Sequence, residues 1–293
     1  MLAGSRAARI AAVKRALVLA GGGVAGIAWE LGVLRGIHEA DAGLARRVID
    51  ADLIIGTSAG SAVAAQITSG VPLDDLYAAQ LSEESAELEV ELDMDELLAR
   101  FAAAVSGVTD RQEMQRAIGE LALATPTVPE SDRLAAVAAR LPVPAWPDRA
   151  MMLPAVDAAT GEPVIFTRDS GVALVDAVAA SCAVPGIWPP VTIGDRRYID
   201  GGIRSIANAD LAAGSDRVLV VIPALEGQPE PFGRLDDEIE SLRPGQALVV
   251  YADQASVAAF GTNPLSPLTR PPAARAGREI GLAKAAEVAA FWS

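Results

Sequence analysis

The sequence RALVLAGGGVAG, residues 15–26, decides the fold. Residues 15–20 form a short apolar run that stops at three glycines, which is typical of a buried strand followed by a tight loop. From residue 26 to residue 40, apolar side chains recur at helical spacing. A strand, a glycine loop and a helix in this order form the unit from which sheets between two helical layers are built.

The same arrangement follows directly in the chain. Residues 52–55 predict a short strand, residues 56–60 a sharp turn, and residues 61–69 a helix of small side chains. Later strands are predicted at residues 152–157, 163–167, 191–199 (a hairpin), 217–222 and 247–251. We therefore predict the α/β class, with a three-layer α/β/α sandwich around a mainly parallel central sheet.

The domain organisation follows from length and composition. The 293 residues are enough for one large core and contain no internal repeat, so we expect a single domain over residues 1–293. Within it, residues 82–148 are richer in Glu, Ala and Leu, and show three helical patterns, around residues 94–105, 111–122 and 130–141. We interpret residues 82–148 as an inserted helical cap region.

Charge and hydropathy limit the partners. The formal net charge of −14 repels phosphate backbones, so we expect no nucleic-acid partner. No stretch reaches the about 20 continuous apolar residues of a membrane span, and the apolar run at residues 16–20 is too short for a signal peptide. We expect a cytoplasmic protein, for which transient peripheral contact with a membrane or micelle surface is an option. The oligomeric state is open.

The first motif that carries chemistry is Gly56-Thr57-Ser58-Ala59-Gly60, which matches GxSxG. A nucleophilic serine on a strained turn between a strand and a helix needs small neighbours on both sides, which explains the two glycines. The helix behind the turn also offers its positive dipole end to developing negative charge. The alternative for an isolated match is a simple helix N-cap.

The glycine loop has two interpretations. Gly21-Gly22-Gly23-Val24-Ala25-Gly26 fits GxGxxG, so a dinucleotide site must be considered. Such a site needs an acid at the end of the next strand, and Asp41 has the right spacing but lies in a predicted helix end. We favour an oxyanion hole built from backbone N–H groups near Gly22 and Gly23, where glycine lets the backbone approach the substrate.

The sole histidine leaves a Ser-His-Asp triad without an alternative base. His38 lies twelve residues beyond Gly26, or about 18 Å along a helix, towards the opposite edge of the sheet. A helix C-terminal position explains it without catalysis. Cys182, the only cysteine, cannot form an internal disulfide. One cysteine and one histidine also cannot fill a zinc site, so we expect no metal and no cofactor.

The base must then be a carboxylate. Tyr198-Ile199-Asp200-Gly201-Gly202 supplies one at the end of a predicted strand, followed by two glycines that allow close approach. An ordinary aspartate, with a pKa of about 3.9, is a weak base for a serine hydroxyl, so Asp200 needs direct contact with Ser58 and some burial. The alternative for Asp-Gly-Gly is a simple turn.

Together, four segments stand in an order that resembles the patatin-like phospholipases. They are the glycine loop at 21–26, the Ser58 turn at 56–60, the segment Ala180-Ser181-Cys182-Ala183-Val184-Pro185 and the Asp200 motif. The resemblance covers about residues 16–222. It implies an α/β/α fold and a serine–aspartate dyad that hydrolyses acyl esters of lipids.

Carried onto this sequence, the resemblance makes Ser58 the nucleophile, Asp200 the base and the loop from Gly21 to Gly26 the oxyanion hole. The enzyme would be a serine esterase or lipase whose substrate is a (phospho)lipid or acylglycerol. Many relatives have Arg or Lys where this chain has Ala25, so phospholipid specificity is open. Residues 82–148 match no motif, and we expect substrate choice to reside there.

Two other functions use the same residues. An acyltransferase needs only an alcohol or thiol acceptor in place of water, and a non-catalytic protein would bind acyl chains without cleaving them. Among the aromatic residues, Trp188 lies between two motif segments and is the best candidate for a pocket wall. Ser181 is a second hydroxyl near the site by resemblance, or else a packing residue inside a helix.

Overall fold

The computed structural model describes residues 13–82, 84–228 and 232–293. The strands in these ranges are β1 (Arg15–Leu19), β2 (Leu53–Gly56), β3 (Ala150–Asp157), β4 (Pro163–Phe166), β5 (Val191–Ile193), β6 (Arg196–Asp200), β7 (Arg217–Ile222) and β8 (Gln246–Tyr251). The α-helices are α1 (Gly23–Ala40), α2 (Ala42–Ile49), α3 (Ala59–Ile67), α4 (Leu73–Leu81), α5 (Met94–Ala104), α6 (Arg111–Ala124), α7 (Glu130–Ala139), α8 (Leu174–Ser181), α9 (Leu235–Ser241), α10 (Gln254–Phe260) and α11 (Arg270–Trp292).

The strands form one mixed sheet in the order β5-β6-β3-β2-β1-β7-β8, and β4 also pairs with β3. The five adjacent strands β3, β2, β1, β7 and β8 run parallel. Strands β4, β5 and β6 are antiparallel to their neighbours. Leu19 at the end of β1 lies beside Gly56 at the end of β2. The loops after these two strands therefore leave the sheet at the same edge.

Both faces of the central strands β1, β2 and β7 are buried, which explains their continuous apolar runs. In β1, Leu17 and Leu19 join the core beneath α1, α3, α8 and α11, whereas Val18 lies in a second core that includes Leu235 of α9. Helices thus cover the sheet on both sides. The predicted three-layer α/β/α architecture with a mainly parallel sheet is confirmed.

Residues 82–148 are helical where the sequence predicted it, at α5, α6 and α7. Leu97 and Phe101 of α5 and Ile118 of α6 share a core cluster with Val156 of β3 and Ile199 of β6. Helix α7 packs against α8. The region therefore lies directly on the sheet and on a neighbouring helix; its action as a cap remains a proposal.

The single domain expected over residues 1–293 is described from residue 13 onwards, and residues 1–12 lie outside the described part. The sequence patterns did not predict helices α2 and α10. Within the described ranges, no helix combines the length and the apolar character that crossing a bilayer requires.

Helices α1 and α11 pack at very short range because each has glycines on the shared face. A Cβ atom at Gly277 would lie 2.1 Å from the Trp29 carbonyl oxygen, and one at Gly281 would lie 2.1 Å from that of Val33. Gly32 makes a similar approach to the Ala274 carbonyl oxygen. This contact fixes α1, whose N-terminus begins at the glycine loop.

We expect Gly277→Val to destabilise the protein, because its side chain forces α1 and α11 apart. Overpacking of this kind costs about 1–3 kcal/mol, which lowers Tm by roughly 2–4 °C per kcal/mol in a domain above 150 residues. The control is Ala283→Val, on an exposed position of α11, where Val lowers helix propensity; Gly277→Val raises helix propensity, so propensity cannot account for a lower Tm of that variant. Equal Tm values in thermal unfolding of the two variants would contradict the packing argument.

Candidate active site

Ser58 lies on a strained turn between β2 and α3. Its φ of 51° and ψ of −115° place a non-glycine residue in a region that L-residues rarely adopt. The turn also presses closely on the sheet, since a Cβ atom at Gly60 would lie 2.1 Å from the Leu19 carbonyl oxygen. A Cβ atom at Gly56 would lie 2.4 Å from the Gly60 carbonyl oxygen. Both glycines of the motif are therefore sterically required.

Hydrogen bonds from α8 and α3 hold the backbone of Ser58 in this conformation. Its N–H donates to Ser181 Oγ at 3.0 Å. Its carbonyl oxygen accepts from Ser61 Oγ at 2.6 Å and from the Cys182 thiol at 3.0 Å. Ser181 therefore does more than pack inside a helix. The sequence analysis placed Ser181 and Cys182 in a motif segment but did not identify these contacts.

A second group of contacts fixes Thr57, the residue before Ser58. The Asn208 side-chain amide donates to Thr57 Oγ1 at 3.0 Å, and the Thr57 hydroxyl donates to the Ala207 carbonyl oxygen at 3.3 Å. Asn208 also donates to the Ser205 carbonyl oxygen at 2.6 Å. It adopts a left-handed conformation with φ 54°, which Asn tolerates better than most residues. Sequence reasoning missed Asn208, because a single Asn after a loop carries no distinguishing pattern.

Ser58 and Asp200 are 142 residues apart in the chain and in direct contact in the fold. The Ser58 hydroxyl donates to Asp200 Oδ2 at 2.8 Å. The other carboxylate oxygen, Oδ1, accepts the Gly202 backbone N–H at 2.7 Å. A Cβ atom at Gly201 would lie 2.2 Å from the Pro154 carbonyl oxygen, so glycine lets the chain turn back against β3 immediately after Asp200.

Burial changes the chemistry of this carboxyl group. Asp200 is 4% exposed. Desolvation raises its pKa from 3.8 to about 7, although the Gly202 N–H, the Ser58 hydroxyl and the Arg133 charge each favour the ionised form. A base with a pKa near neutrality accepts a proton from a hydroxyl far more readily than an ordinary aspartate does.

The glycine loop approaches Ser58 from the end of β1. The Gly21 N–H donates to the Ile206 carbonyl oxygen at 2.8 Å, and the Gly26 N–H donates to that of Gly22 at 2.8 Å. Neither is therefore available to a substrate oxygen. The Gly22 and Gly23 N–H groups, in contrast, have no hydrogen-bond partner among the described residues.

Steric contacts explain why two of these positions are glycine. A Cβ atom at Gly22 would lie 2.3 Å from Cγ of Pro223. At Gly23, which has φ 66°, it would lie 2.8 Å from Leu265 Cδ2 and 2.9 Å from the Pro264 carbonyl oxygen. Gly23 lines the same small pocket as Ser58. The backbone of the loop thus lies directly beside Ser58.

His38 and Asp41 lie away from this cluster. His38 is in the last turn of α1, about 22 Å along the axis from Gly23 at 1.5 Å per residue. Asp41 caps α2, where its side chain accepts the Leu44 N–H at 2.9 Å. Asp41 is not at the end of a strand, where a dinucleotide site requires an acidic residue to bind the ribose.

A small cavity is lined by Ser58, and a larger cavity adjoins it. The smaller one is lined by Ser58, Gly23, Cys182, Trp188 and two arginines, Arg133 and Arg140. The larger one has a volume of about 420 Å³ and shares Val24, Ile27 and Arg140 with the first. Trp188 thus forms a pocket wall, as its position between motifs suggested. The arginines come from the end of the inserted region and were not identified from the sequence.

Fold and site together define a serine–carboxylate α/β/α protein, and comparisons with known proteins give its family. A family model described as Patatin-like phospholipase matches residues 17–213. The chain belongs to the patatin-like phospholipase family, as the sequence motifs indicated, and the family supports lipid acyl hydrolase activity in general terms. No curated protein sequence matches the chain significantly.

Two solved structures are similar to the chain. VipD from Legionella pneumophila is 13% identical, with a TM-score of 0.47 over 94% of this chain and 67% of that chain. The type III effector protein ExoU, from Pseudomonas aeruginosa, is 17% identical, with a TM-score of 0.42 over 94% of this chain and 53% of that chain. The chain therefore spans about half the length of ExoU.

We expect Asp200→Asn to stabilise the protein increasingly as pH rises. The pKa of Asp200 is about 7 in the folded state, above its ordinary value of 3.8. Between about pH 4 and pH 7, Asp200 is protonated in the folded state but ionised in the unfolded state. The folded state therefore loses stability as pH rises through this range, because it binds a proton that the unfolded chain has released. Asn keeps the shape without the charge.

Thermal unfolding at pH 5 and pH 8 measures this effect. The difference in Tm between Asp200→Asn and the wild type should be larger at pH 8. Asp195→Asn, an exposed position in the turn between β5 and β6, is the control and should show no such trend. A pH-independent difference for Asp200→Asn would contradict the assigned burial effect.

Proposed function

We propose that the protein hydrolyses carboxylic esters of lipids, either phospholipids or acylglycerols, through an acyl-enzyme at Ser58 with Asp200 as the base. The observation that carries this proposal is the 2.8 Å hydrogen bond from the Ser58 hydroxyl to a buried carboxylate. A serine hydroxyl is activated when an adjacent base accepts its proton, and no histidine is needed if the base has a suitable pKa.

In the acylation step, Ser58 Oγ bonds to the ester carbonyl carbon while its proton moves to Asp200 Oδ2. The carbonyl electron pair moves onto the carbonyl oxygen, which becomes an oxyanion. Collapse of this intermediate breaks the bond to the alcohol, and Asp200 returns the proton to the leaving oxygen. Water then attacks the acyl-enzyme in the same way, with Asp200 again as the base, and releases the fatty acid.

The oxyanion hole in this proposal consists of the Gly22 and Gly23 N–H groups. Both are without partners within the described chain, and Gly23 lines the Ser58 pocket. Donors that are fixed in place before reaction cost no reorganisation when charge develops on the substrate oxygen. Gly21 and Gly26 shape the loop in this proposal, because their N–H groups already donate to backbone oxygens.

The contact between Ser58 and Asp200 supports catalysis over simple binding of acyl chains. Backbone strain of about 1–3 kcal/mol occurs at active sites and ligand clamps alike, but a pocket for an acyl chain needs no buried carboxylate hydrogen-bonded to its serine. The acyltransferase alternative shares every step up to the acyl-enzyme and differs only in the acceptor. A cytoplasmic location, with transient contact with a membrane or micelle surface, remains part of the proposal.

We expect Ser58→Ala and Asp200→Asn each to lower kcat/KM for p-nitrophenyl esters by at least about 10³-fold, because each removes one half of the proton transfer. Assays at pH 8 keep Asp200 largely ionised, and a series of acyl-chain lengths gauges the pocket. His38→Ala, remote from the site, serves as the control and should retain activity within about twofold.

The outcomes separate the alternatives. Loss of activity in His38→Ala with retention in Asp200→Asn would refute the dyad. Esters of an added alcohol, formed in preference to free acid, would favour the transferase. An inert wild type whose Ser58 is not labelled by a fluorophosphonate would leave acyl-chain binding as the function.

We expect Gly23→Ala to lower kcat by about 10²-fold with a smaller change in KM, since the new Cβ displaces the loop and misaligns an oxyanion donor. Gly171→Ala is a matched control. Gly171 has nearly the same φ, 69° against 66°, but a Cβ atom there meets nothing within 4 Å. Steady-state kinetics with one soluble ester tests both variants, and equal kcat values would remove Gly23 from the oxyanion hole.

A further inference from the structure

Helix α7 carries a buried guanidinium group, that of Arg133, to the wall of the Ser58 pocket. The Arg133 side chain is 5% exposed, and its guanidinium carbon lies 4.0 Å from the centre of the Trp188 ring. Stacking on an aromatic face holds the planar group without using its N–H donors. A cation that takes no part in the acyl-transfer steps is therefore fixed beside Ser58.

Glu87 balances the charge of Arg133 only in part. Glu87 Oε2 lies 3.7 Å from Arg133 Nη1, and the same oxygen forms a much closer ion pair with Arg140. Arg270 adds a third positive charge near Glu87. Arg133 Nε and Nη1 have no hydrogen-bond partner among the described residues. A buried charge is costly unless it is paired, so Arg133 needs a second carboxylate.

Asp200 is that second carboxylate. It is 4% exposed, and its negative charge acts on Arg133. The turn after α8, residues 182–188, holds both groups. Its Ala183 carbonyl oxygen accepts the Asp200 N–H at 3.0 Å, and its last residue, Trp188, is the one on which Arg133 stacks. The fold therefore fixes the cation relative to the carboxylate.

Within the described ranges, Arg133 and Cys182 are the titratable side chains whose charges are coupled to that of Asp200. Burial raises the pKa of the Cys182 thiol above its ordinary value, so the thiol stays neutral at and below pH 8. Burial and the nearby Arg140 charge lower the pKa of Arg133 to about 10, which leaves this guanidinium protonated over the same range. Of the two neighbours, Arg133 therefore brings the charge to Asp200 near neutral pH.

We propose that Arg133 is a positioning residue that acts through Asp200: its fixed positive charge balances the carboxylate and keeps this base ionised and available to Ser58 at neutral pH. This inference rests on the proposed function and adds a residue of the inserted region to it. Burial by itself raises the pKa of Asp200, and the Arg133 charge opposes that rise. Without the charge, a larger share of Asp200 is protonated at pH 7 and cannot accept the Ser58 proton.

The pH dependence of kcat/KM tests this role, since it reports the pKa of the base in the free enzyme. One soluble p-nitrophenyl ester is assayed from pH 5 to pH 9. We expect Arg133→Gln to move the acidic limb of the profile up by roughly one pH unit, because loss of a nearby cation favours the protonated carboxyl. The variant should approach the wild-type value far more closely at pH 9 than at pH 6. Arg133→Met, which keeps an unbranched stem against Trp188, is the second neutral variant and should give the same shift.

Two variants serve as controls. Arg133→Lys keeps the charge and should hold the acidic limb within about 0.3 pH units of the wild type. Arg149→Gln removes the same charge from a partly exposed arginine that pairs with Asp50 at 2.6 Å and lines neither cavity. It should leave the limb unchanged.

The thermal stability of the protein gives a second measurement that does not depend on catalysis. At pH 8, Asp200→Asn should raise Tm more in the Arg133→Gln background than in the wild-type background, because the carboxylate has lost its counter-charge there. The two substitutions are then coupled, as expected for two groups that interact directly.

The outcomes distinguish this inference from the proposed function. An acidic limb that stays in place in Arg133→Gln, with kcat/KM lowered equally at every pH, overturns the inference and leaves Arg133 as a packing partner of Trp188. A limb that moves as far in Arg133→Lys as in Arg133→Gln, or additive changes in Tm, also overturns it. Full activity of Asp200→Asn contradicts the proposed function instead, and the Tm measurements then still decide whether Arg133 balances Asp200.

Discussion

The structure around the active site depends on one hydrogen bond, from the Ser58 hydroxyl to Asp200 at 2.8 Å. It joins the end of β2 to the end of β6, two strands separated by β3 in the sheet. The bond matters because the carboxyl group is buried, which raises the pKa of Asp200 to about 7. In the proposed mechanism, direct contact and burial together let this aspartate take the role that a histidine has in a triad.

Several contacts that look independent serve to maintain this geometry. The strained backbone of Ser58 is held by hydrogen bonds to Ser181, Ser61 and Cys182. The close approach of Gly60 to the Leu19 carbonyl oxygen fixes the turn against β1. Strain of this size persists only where the surroundings over-determine it. The end of α8 and the start of α3 provide the hydrogen bonds that hold Ser58 in this conformation. These short helices therefore position the site together with the strands.

The inserted region, residues 82–148, contributes side chains to the core and to the pocket beside Ser58. Its helices α5 and α6 complete the core over the antiparallel strands, and α7 carries Arg133 to the face of Trp188. The loop residue Ala25 is fully buried and uncharged, so the glycine loop itself brings no cation to the pocket. Positive charge beside Ser58 comes instead from α7 and the residue that follows it, Arg140.

The sequence by itself determined the strand–loop–helix units, the nucleophile turn, the Asp200 motif and the absence of a usable histidine, because each depends on neighbours within a few residues. It also located α5, α6 and α7 closely from their spacing. Only the tertiary structure decided which loop N–H groups are free, how far burial moves the pKa of Asp200, and that Arg133 stacks on Trp188. These properties arise between segments far apart in the chain, and burial and pairing at that range have no local pattern in the sequence.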